Sequence, residues 1–343
     1  QTSSSVLSIV FNLKIVDSIL LNSSNLNILV MLLFFTNIRN TPDTDKYINK
    51  KKYLMKFSKN VVQTPLVKIS ERIFAKFEGH NPSGSLKDRM AVYIIDDAEK
   101  RGLIKKGDTL IEATSGNSGI AFAMLGAERG YKVIIVMPRN MSEERKKILK
   151  IYGAELIEVE DGRFDDAIAL RDKMAEENGY FNPRQFSNPL NTKAHYETTA
   201  PEILHQHTNR IAAFVSGTGT GGTLMGTSTL LKMYHPFMKT VAVEPAESPV
   251  MSGGQPGLHG IQGIGDGSKF LVDLNLVDDI MVVSTQDAID RAKRLASENG
   301  LFVGISSGAN ILAAERLLEK YPEMEGNVIT ILCDRGERYL SVL

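Results

Sequence analysis

The chain has 343 residues, long enough for two packed lobes around a cleft, and its 43% hydrophobic content is that of an ordinary globular protein. Forty basic residues balance forty acidic ones, so no global field is available to attract nucleic acid or an anionic membrane surface, and a small-molecule partner is expected. The single cysteine, Cys333, excludes an intrachain disulfide and any cysteine-rich metal site, which fits a reducing, cytoplasmic setting.

Residues 1–54 differ from the rest of the chain: they are rich in Asn, Ser and Leu, and their longest uninterrupted apolar run is "ILVMLLFF" at 28–35. That is far short of the ~20 residues needed to span a bilayer, and no basic segment followed by a small-residue cleavage site marks a signal peptide. A poorly ordered or non-core extension is expected here, with folded sequence beginning at Met55.

The stretch "NPSGSLKDR" (81–89) comes next, and it places Lys87 at the start of a helix-period segment. The helix dipole opposes a cation there by about 0.3–1 kcal/mol. A lysine so placed and kept from water has its ammonium form disfavoured, leaving a neutral amine able to form a Schiff base. Asp88 and Arg89 read as ordinary helix chemistry, a first-turn carboxylate followed by a paired arginine.

Short apolar runs then alternate with helical patterns. Strands are predicted at 109–114, 132–138, 154–160, 212–217, 240–245, 279–284 and 328–334. Between them lie segments such as "SEERKKILKIYG", with Ser142 as N-cap and Glu143 and Glu144 in the first turn. Near-continuous apolar strands separated by helices specify an α/β fold with mostly parallel sheets covered on both faces. Two lobes are expected, a smaller one over 55–187 and a larger one over 188–343. Cys333, in "VITILCD", reads as a core thiol.

Three small-residue clusters follow strands or short apolar runs: "TSGNSG" (114–119), "SGTGTGGT" (216–223) and "GISSGAN" (304–310). Ligands of open parallel sheets bind beyond the strand ends, where helix N-termini present free N–H groups. In "GTGTGGT" the glycines allow close backbone approach, and a helix is expected after Thr223, so the turn can enclose a phosphate. No lysine follows as in a P-loop, and the dinucleotide-binding order is missing, which favours a simple phosphomonoester. A phosphate cup together with a Schiff-base lysine points to pyridoxal phosphate.

"NPSGSLKDR", "TSGNSG", "RQFSNPLN", "GTGTGGT", "GIQGIG" and "GISSGAN", in this order over about residues 62–342 and with the ending "DRGERYLS", resemble the β-family (fold-type II, tryptophan synthase β-like) of pyridoxal-phosphate enzymes. The resemblance is strongest to the cysteine synthases, or O-acetylserine sulfhydrylases. It implies that Lys87 forms the Schiff base, that Asn117 contacts the cofactor's 3′-hydroxyl, that Gly219, Thr220, Gly221, Gly222 and Thr223 bind its phosphate, and that Ser306 faces the pyridine nitrogen. Thr114, Ser115, Gly116, Ser118 and Gln185 are implied to grip the substrate carboxylate. The implied reaction replaces the acetate of O-acetyl-L-serine by sulfide to give L-cysteine, with Lys87 moving the Cα proton. A neutral hydroxyl at Ser306 stabilises a pyridinium less than a carboxylate would, which suits elimination and replacement at Cβ over transamination. The family is generally dimeric and can dock the C-terminal tail of serine acetyltransferase.

One loop departs from the pattern. Relatives usually read "GIGAGF" followed by Pro, whereas this chain has "GIGDGSKF" at 263–270. Asp266 or Lys269 could therefore alter substrate choice, and Lys269 would suit an O-phosphoserine donor. The alternative readings are an O-phosphoserine sulfhydrylase, a cystathionine β-synthase, and a non-catalytic partner of serine acetyltransferase. The six histidines have no metal-ligand company, so no metal is expected.

Overall fold

The structure, a computed structural model, describes residues 63–114, 116–161 and 164–343. The extension expected at 1–54 and the first residues of the expected small lobe lie outside these.

Two sheets organise the described residues. The smaller contains β3 (Thr109–Ala113), β4 (Lys132–Pro138) and β5 (Glu155–Val159), all parallel. The larger has six strands in the order β1-β2-β9-β6-β7-β8. Its members are β1 (Leu66–Lys68), β2 (Ile73–Phe77), β6 (Ile211–Gly217), β7 (Lys239–Pro245), β8 (Asp279–Val283) and β9 (Asn327–Leu332), parallel except for the β1–β2 hairpin at one edge. All seven predicted strands are present.

Successive strand residues point to opposite faces, and here both faces are buried. In β6, Ala213 and Val215 join one apolar cluster while Phe214 joins another on the opposite side. In β3, Leu110 and Ile111 divide in the same way. Helices α1 (Lys87–Lys100), α2 (Asn117–Arg129), α3 (Glu143–Ile151) and α4 (Phe164–Asn178) belong to the small sheet's layers. Helices α5 (Pro189–Ala194), α6 (Ala200–Gln206), α7 (Gly222–Tyr234), α8 (Thr285–Asn299) and α9 (Ile305–Lys320) follow in the second part of the chain.

Two details differ from the sequence reading. β1 and β2 lie before the boundary drawn at 187/188, yet β2 pairs with β9 from Ile73↔Val328 to Phe77↔Leu332, so the chain begins in the larger sheet, crosses to the smaller and returns. That pairing joins positions some 250 residues apart, which no local pattern reports. Ser142 does stand at the N-cap of α3, but its hydroxyl donates to the Arg338 carbonyl at 3.1 Å and does not cap the helix. No described helix is long and apolar enough to cross a membrane.

Candidate active site

Lys87 is the first residue of α1, and the end of β9 fixes the backbone that presents it. Leu86 N–H donates to the Cys333 carbonyl at 2.9 Å, and Ser85 bridges Asp334. Asp88 accepts from Ser83 N–H at 2.6 Å and from the Ser83 hydroxyl, closing the turn in front of the helix. Arg89 is fully buried and grips Glu78 through Nε and Nη2 at 2.6 and 2.8 Å and Glu202 through Nη1 at 2.7 Å. Lys76, also buried, pairs with Glu202 at 2.6 Å, so two cations and two anions lock α1 to β2 and α6. Asp88 and Arg89 thus hold structure, as expected.

The half-buried Lys87 faces a cavity and has no hydrogen-bond or ion-pair partner for Nζ among the described residues. Burial pulls its pKa below the ordinary lysine value, against the opposing influence of Cys333, Asp266 and Asp334. Burial thus shifts this amine toward its neutral, nucleophilic form.

Gly219, Thr220, Gly221 and Thr223 line the same cavity, at the turn between β6 and α7. Helix α7 begins at Gly222, slightly earlier than predicted. Gly221 adopts φ +87°, and a Cβ there would sit 2.6 Å from Val272. Gly222 packs so closely on Asn191 that a Cβ would fall 2.1 Å from its Oδ1. Behind the loop, the buried His195 sits between the hydroxyls of Thr199, at 2.8 Å from Nδ1, and Thr223, at 3.1 Å from Nε2.

Asn117 and Ser306 complete the cavity wall. Ser306, in the first turn of α9, is buried and lines the cavity beside Cys333. Cys333 is the core thiol expected, in one apolar cluster with Leu86 and Ile331. It is buried, and burial pushes its pKa up to about 12, yet it lines the cavity beside Lys87 because the end of β9 abuts the Lys87 turn.

A second pocket shares Lys87, Asn117 and Thr220 and adds Thr114, Ser118, Gln185 and Asp266. Gln185 donates Nε2–H to the Ala113 carbonyl at 2.9 Å and accepts from the Ser118 hydroxyl, so it bridges the β3 end to α2. Its own N–H is held by Glu112 at 3.1 Å, a buried carboxylate that also accepts from Arg171. Gly116 lies behind this wall with φ +152°, where a Cβ would fall 2.4 Å from Arg145. Ser115 lies outside the described residues.

Of the two departures in the "GIGDGSKF" loop, only Asp266 reaches this pocket, while Lys269 is exposed. Burial raises the Asp266 pKa, with His259, Lys87 and Arg145 opposing the rise. The loop also borders an entrance cleft of about 330 Å³, shared with Phe164 and His259. No group of acidic, histidine or cysteine side chains with metal-binding geometry occurs among the described residues.

The donor set fits pyridoxal phosphate. An amine of lowered pKa for an aldehyde, a helix N-terminus with glycines and threonine hydroxyls for a phosphate, and a neutral hydroxyl for a ring nitrogen converge on one cavity.

Comparison with known proteins agrees. The family model for "Pyridoxal-phosphate dependent enzyme" matches residues 57–334. A cysteine synthase of Staphylococcus aureus is 44% identical over 290 residues, covering 81% of this chain and 93% of its own. A solved cysteine synthase of Entamoeba histolytica superposes with a TM-score of 0.78 at 41% identity, covering 85% of this chain and 91% of its own. An O-acetylserine dependent cystathionine β-synthase of Helicobacter pylori gives a TM-score of 0.78 at 36% identity, covering 84% and 97%. On the match across most of its length, the chain belongs to the family of pyridoxal-phosphate dependent enzymes.

Proposed function

We propose that this chain makes L-cysteine from O-acetyl-L-serine and sulfide, by replacement at the substrate's Cβ. The observation that carries the reading is the convergence of Lys87, the 219–223 turn and Ser306 on one cavity, with the Thr114, Ser118 and Gln185 pocket opening beside the same lysine.

When bound, pyridoxal phosphate supplies an electron sink for the charge that develops at the substrate's Cα. The residues of the chain do the rest. The backbone N–H groups and hydroxyls of 219–223 hold the phosphate, and Asn117 and Ser306 orient the ring. The Lys87 amine, its pKa lowered by burial, would hold the cofactor's aldehyde carbon, and it is placed to take the proton from the substrate's Cα and return it there. Thr114 and Ser118, at the N-terminus of α2, bind the substrate carboxylate together with Ser115, with Gly116 packing against Arg145 and Gln185 bracing the pocket. Closure of the 114–118 loop would exclude water while acetate leaves and sulfide adds.

Between donors, Asp266 on the pocket wall and Lys269 in solvent favour an acetyl over a phosphoryl leaving group, since a carboxylate repels a phosphate dianion. The entrance cleft is also where a serine acetyltransferase tail would dock in a homodimeric, cytoplasmic enzyme of this kind.

The test is turnover of the purified full chain with pyridoxal phosphate and sulfide. O-acetylserine is expected to outpace O-phosphoserine, and serine with homocysteine is expected to give little cystathionine. Lys87→Ala is expected to lose turnover and borohydride-trapped cofactor together. Preference for O-phosphoserine, or cystathionine as the main product, would overturn the assignment.

A further inference from the structure

The side-chain amide of Asn117 has two orientations that differ by a half-turn, and the tertiary structure permits only one. Asn117 Nδ2–H donates to Asp334 Oδ2 at 2.6 Å, and Asn117 Oδ1 accepts from Arg338 Nη1. Asp334 is wholly buried, and an ionised carboxylate only accepts. Arg338 is 5% exposed, and a guanidinium only donates. Turning the amide over would set its N–H groups against the guanidinium and its carbonyl against the carboxylate, and because both partners are buried each clash carries its full cost.

Both charged residues are themselves held. Asp334 also accepts from the Tyr339 hydroxyl at 2.6 Å, and that oxygen accepts from Arg145 Nη2 at 2.6 Å. Arg338 donates its other nitrogen to the Ser83 carbonyl, in the turn that precedes Lys87. The bridge from Asp334 to Ser85 and the bond from Leu86 N–H to Cys333 tie the same segment to the lysine's backbone. Residues 333–339 therefore fix two cavity-facing groups, Lys87 and Asn117, that lie 30 positions apart in the sequence.

We propose that Asp334 and Arg338 are positioning residues for the cofactor: they hold the Asn117 amide so that its second N–H, and not its carbonyl, faces the Lys87 cavity. The N–H aimed there suits an anionic ring oxygen next to the carbon that Lys87 holds, whereas a carbonyl would repel it. The inference rests on the reading of this cavity as a pyridoxal-phosphate site. It adds that the anion and the cation next to Asn117 decide which atom the site presents.

The experiment uses the full chain stripped of cofactor and titrated with pyridoxal phosphate, reading cofactor affinity, the position of the cofactor's visible absorbance band, and the melting temperature before cofactor is added. Borohydride trapping on Lys87 in the unmutated protein tests the parent reading separately, and failure there removes the cofactor assignment itself. Asp334→Asn removes the anion while keeping the shape. It is expected to weaken cofactor affinity about tenfold, the equivalent of one charge-assisted hydrogen bond, and to move the band.

The double exchange Asn117→Asp with Asp334→Asn reverses the polarity of the pair, with the donor now at 334 and the acceptor at 117, next to Arg338. It is expected to melt close to the unmutated protein yet stay at least about tenfold weaker for the cofactor, because no N–H faces the cavity. If the exchange binds the cofactor within about twofold of the unmutated protein with an unmoved band, the cavity needs no N–H from position 117, and the proposal falls. It falls equally if Asp334→Asn binds within about twofold of the unmutated protein with an unmoved band.

Discussion

Replacing Glu78 by Gln removes one charge from the buried quartet that seats α1, and the structure sets the size of the effect. Glu78 is 1% exposed, and burial alone would raise its pKa. The Arg89 charge and its hydrogen bonds, joined by the Thr64 hydroxyl at 2.7 Å, overcome that and bring it from 4.5 down to about 2. At ~1.36 kcal/mol per pH unit, the gap of about 2.5 units (4.5 − 2) corresponds to about 3 kcal/mol. Breaking one side of a buried ion pair costs about 3–5 kcal/mol by a separate line of reasoning, so the two agree.

The sign follows from the depressed folded-state pKa. This stabilisation is complete above pH 4.5 and is lost as the pH falls toward 2. Urea denaturation of the unmutated protein and of Glu78→Gln at a series of pH values is expected to give a stability difference of about 3 kcal/mol at pH 7 that shrinks toward zero near pH 2. Titrations shared by both proteins cancel in that difference. A gap below about 1 kcal/mol at pH 7, or one that does not change with pH, refutes the reasoning.

Two further outcomes rest on the glycine-rich turn between β6 and α7. Gly222→Ala normally helps a helix, but here the added Cβ meets Asn191, whose Nδ2 is committed to the Gln185 carbonyl at 3.0 Å and to Thr220 Oγ1 at 2.9 Å. A loss of about 1–3 kcal/mol in denaturant unfolding, with weaker cofactor affinity on titration, is expected, and a stabilised variant contradicts it. His195 is held neutral, its pKa lowered to about 3 first by burial and then by Arg89. Its contribution is complete above pH 6.5 and fades as the pH falls toward 3, by up to about 5 kcal/mol, so His195→Gln is expected to flatten the unfolding free energy between pH 7 and 4.

Much of this protein is legible along the chain because its signals are local. The central predicted strands, such as β4, β6 and β7, are runs of β-branched and apolar residues buried on both faces, and each cradle is a small-residue turn, with the backbone dictating glycine as at Gly221. β2 is hidden in the sequence because Lys76 interrupts its apolar pattern, and that buried lysine is held by Glu202 and Gln206, far along the chain, and by the Thr64 carbonyl. Asp266 stands out as a departure from a motif, but its place on the pocket wall, with Lys269 in solvent, depends on how the loop folds back beside Gly219.

The sequence by itself determined the alternation of strands and helices, the lysine at the start of α1 and the glycine-rich turn after β6, because hydrophobic period, helix polarity and glycine freedom act over a few residues. Only the tertiary structure decided that the chain's first strands join its last in one sheet, that Cys333 borders the cavity, and that Asp334 and Arg338 fix which way Asn117 faces. Those outcomes depend on groups more than 200 residues apart meeting where water is excluded, and there a carboxylate and a guanidinium act on their neighbours far more strongly than they would in solvent.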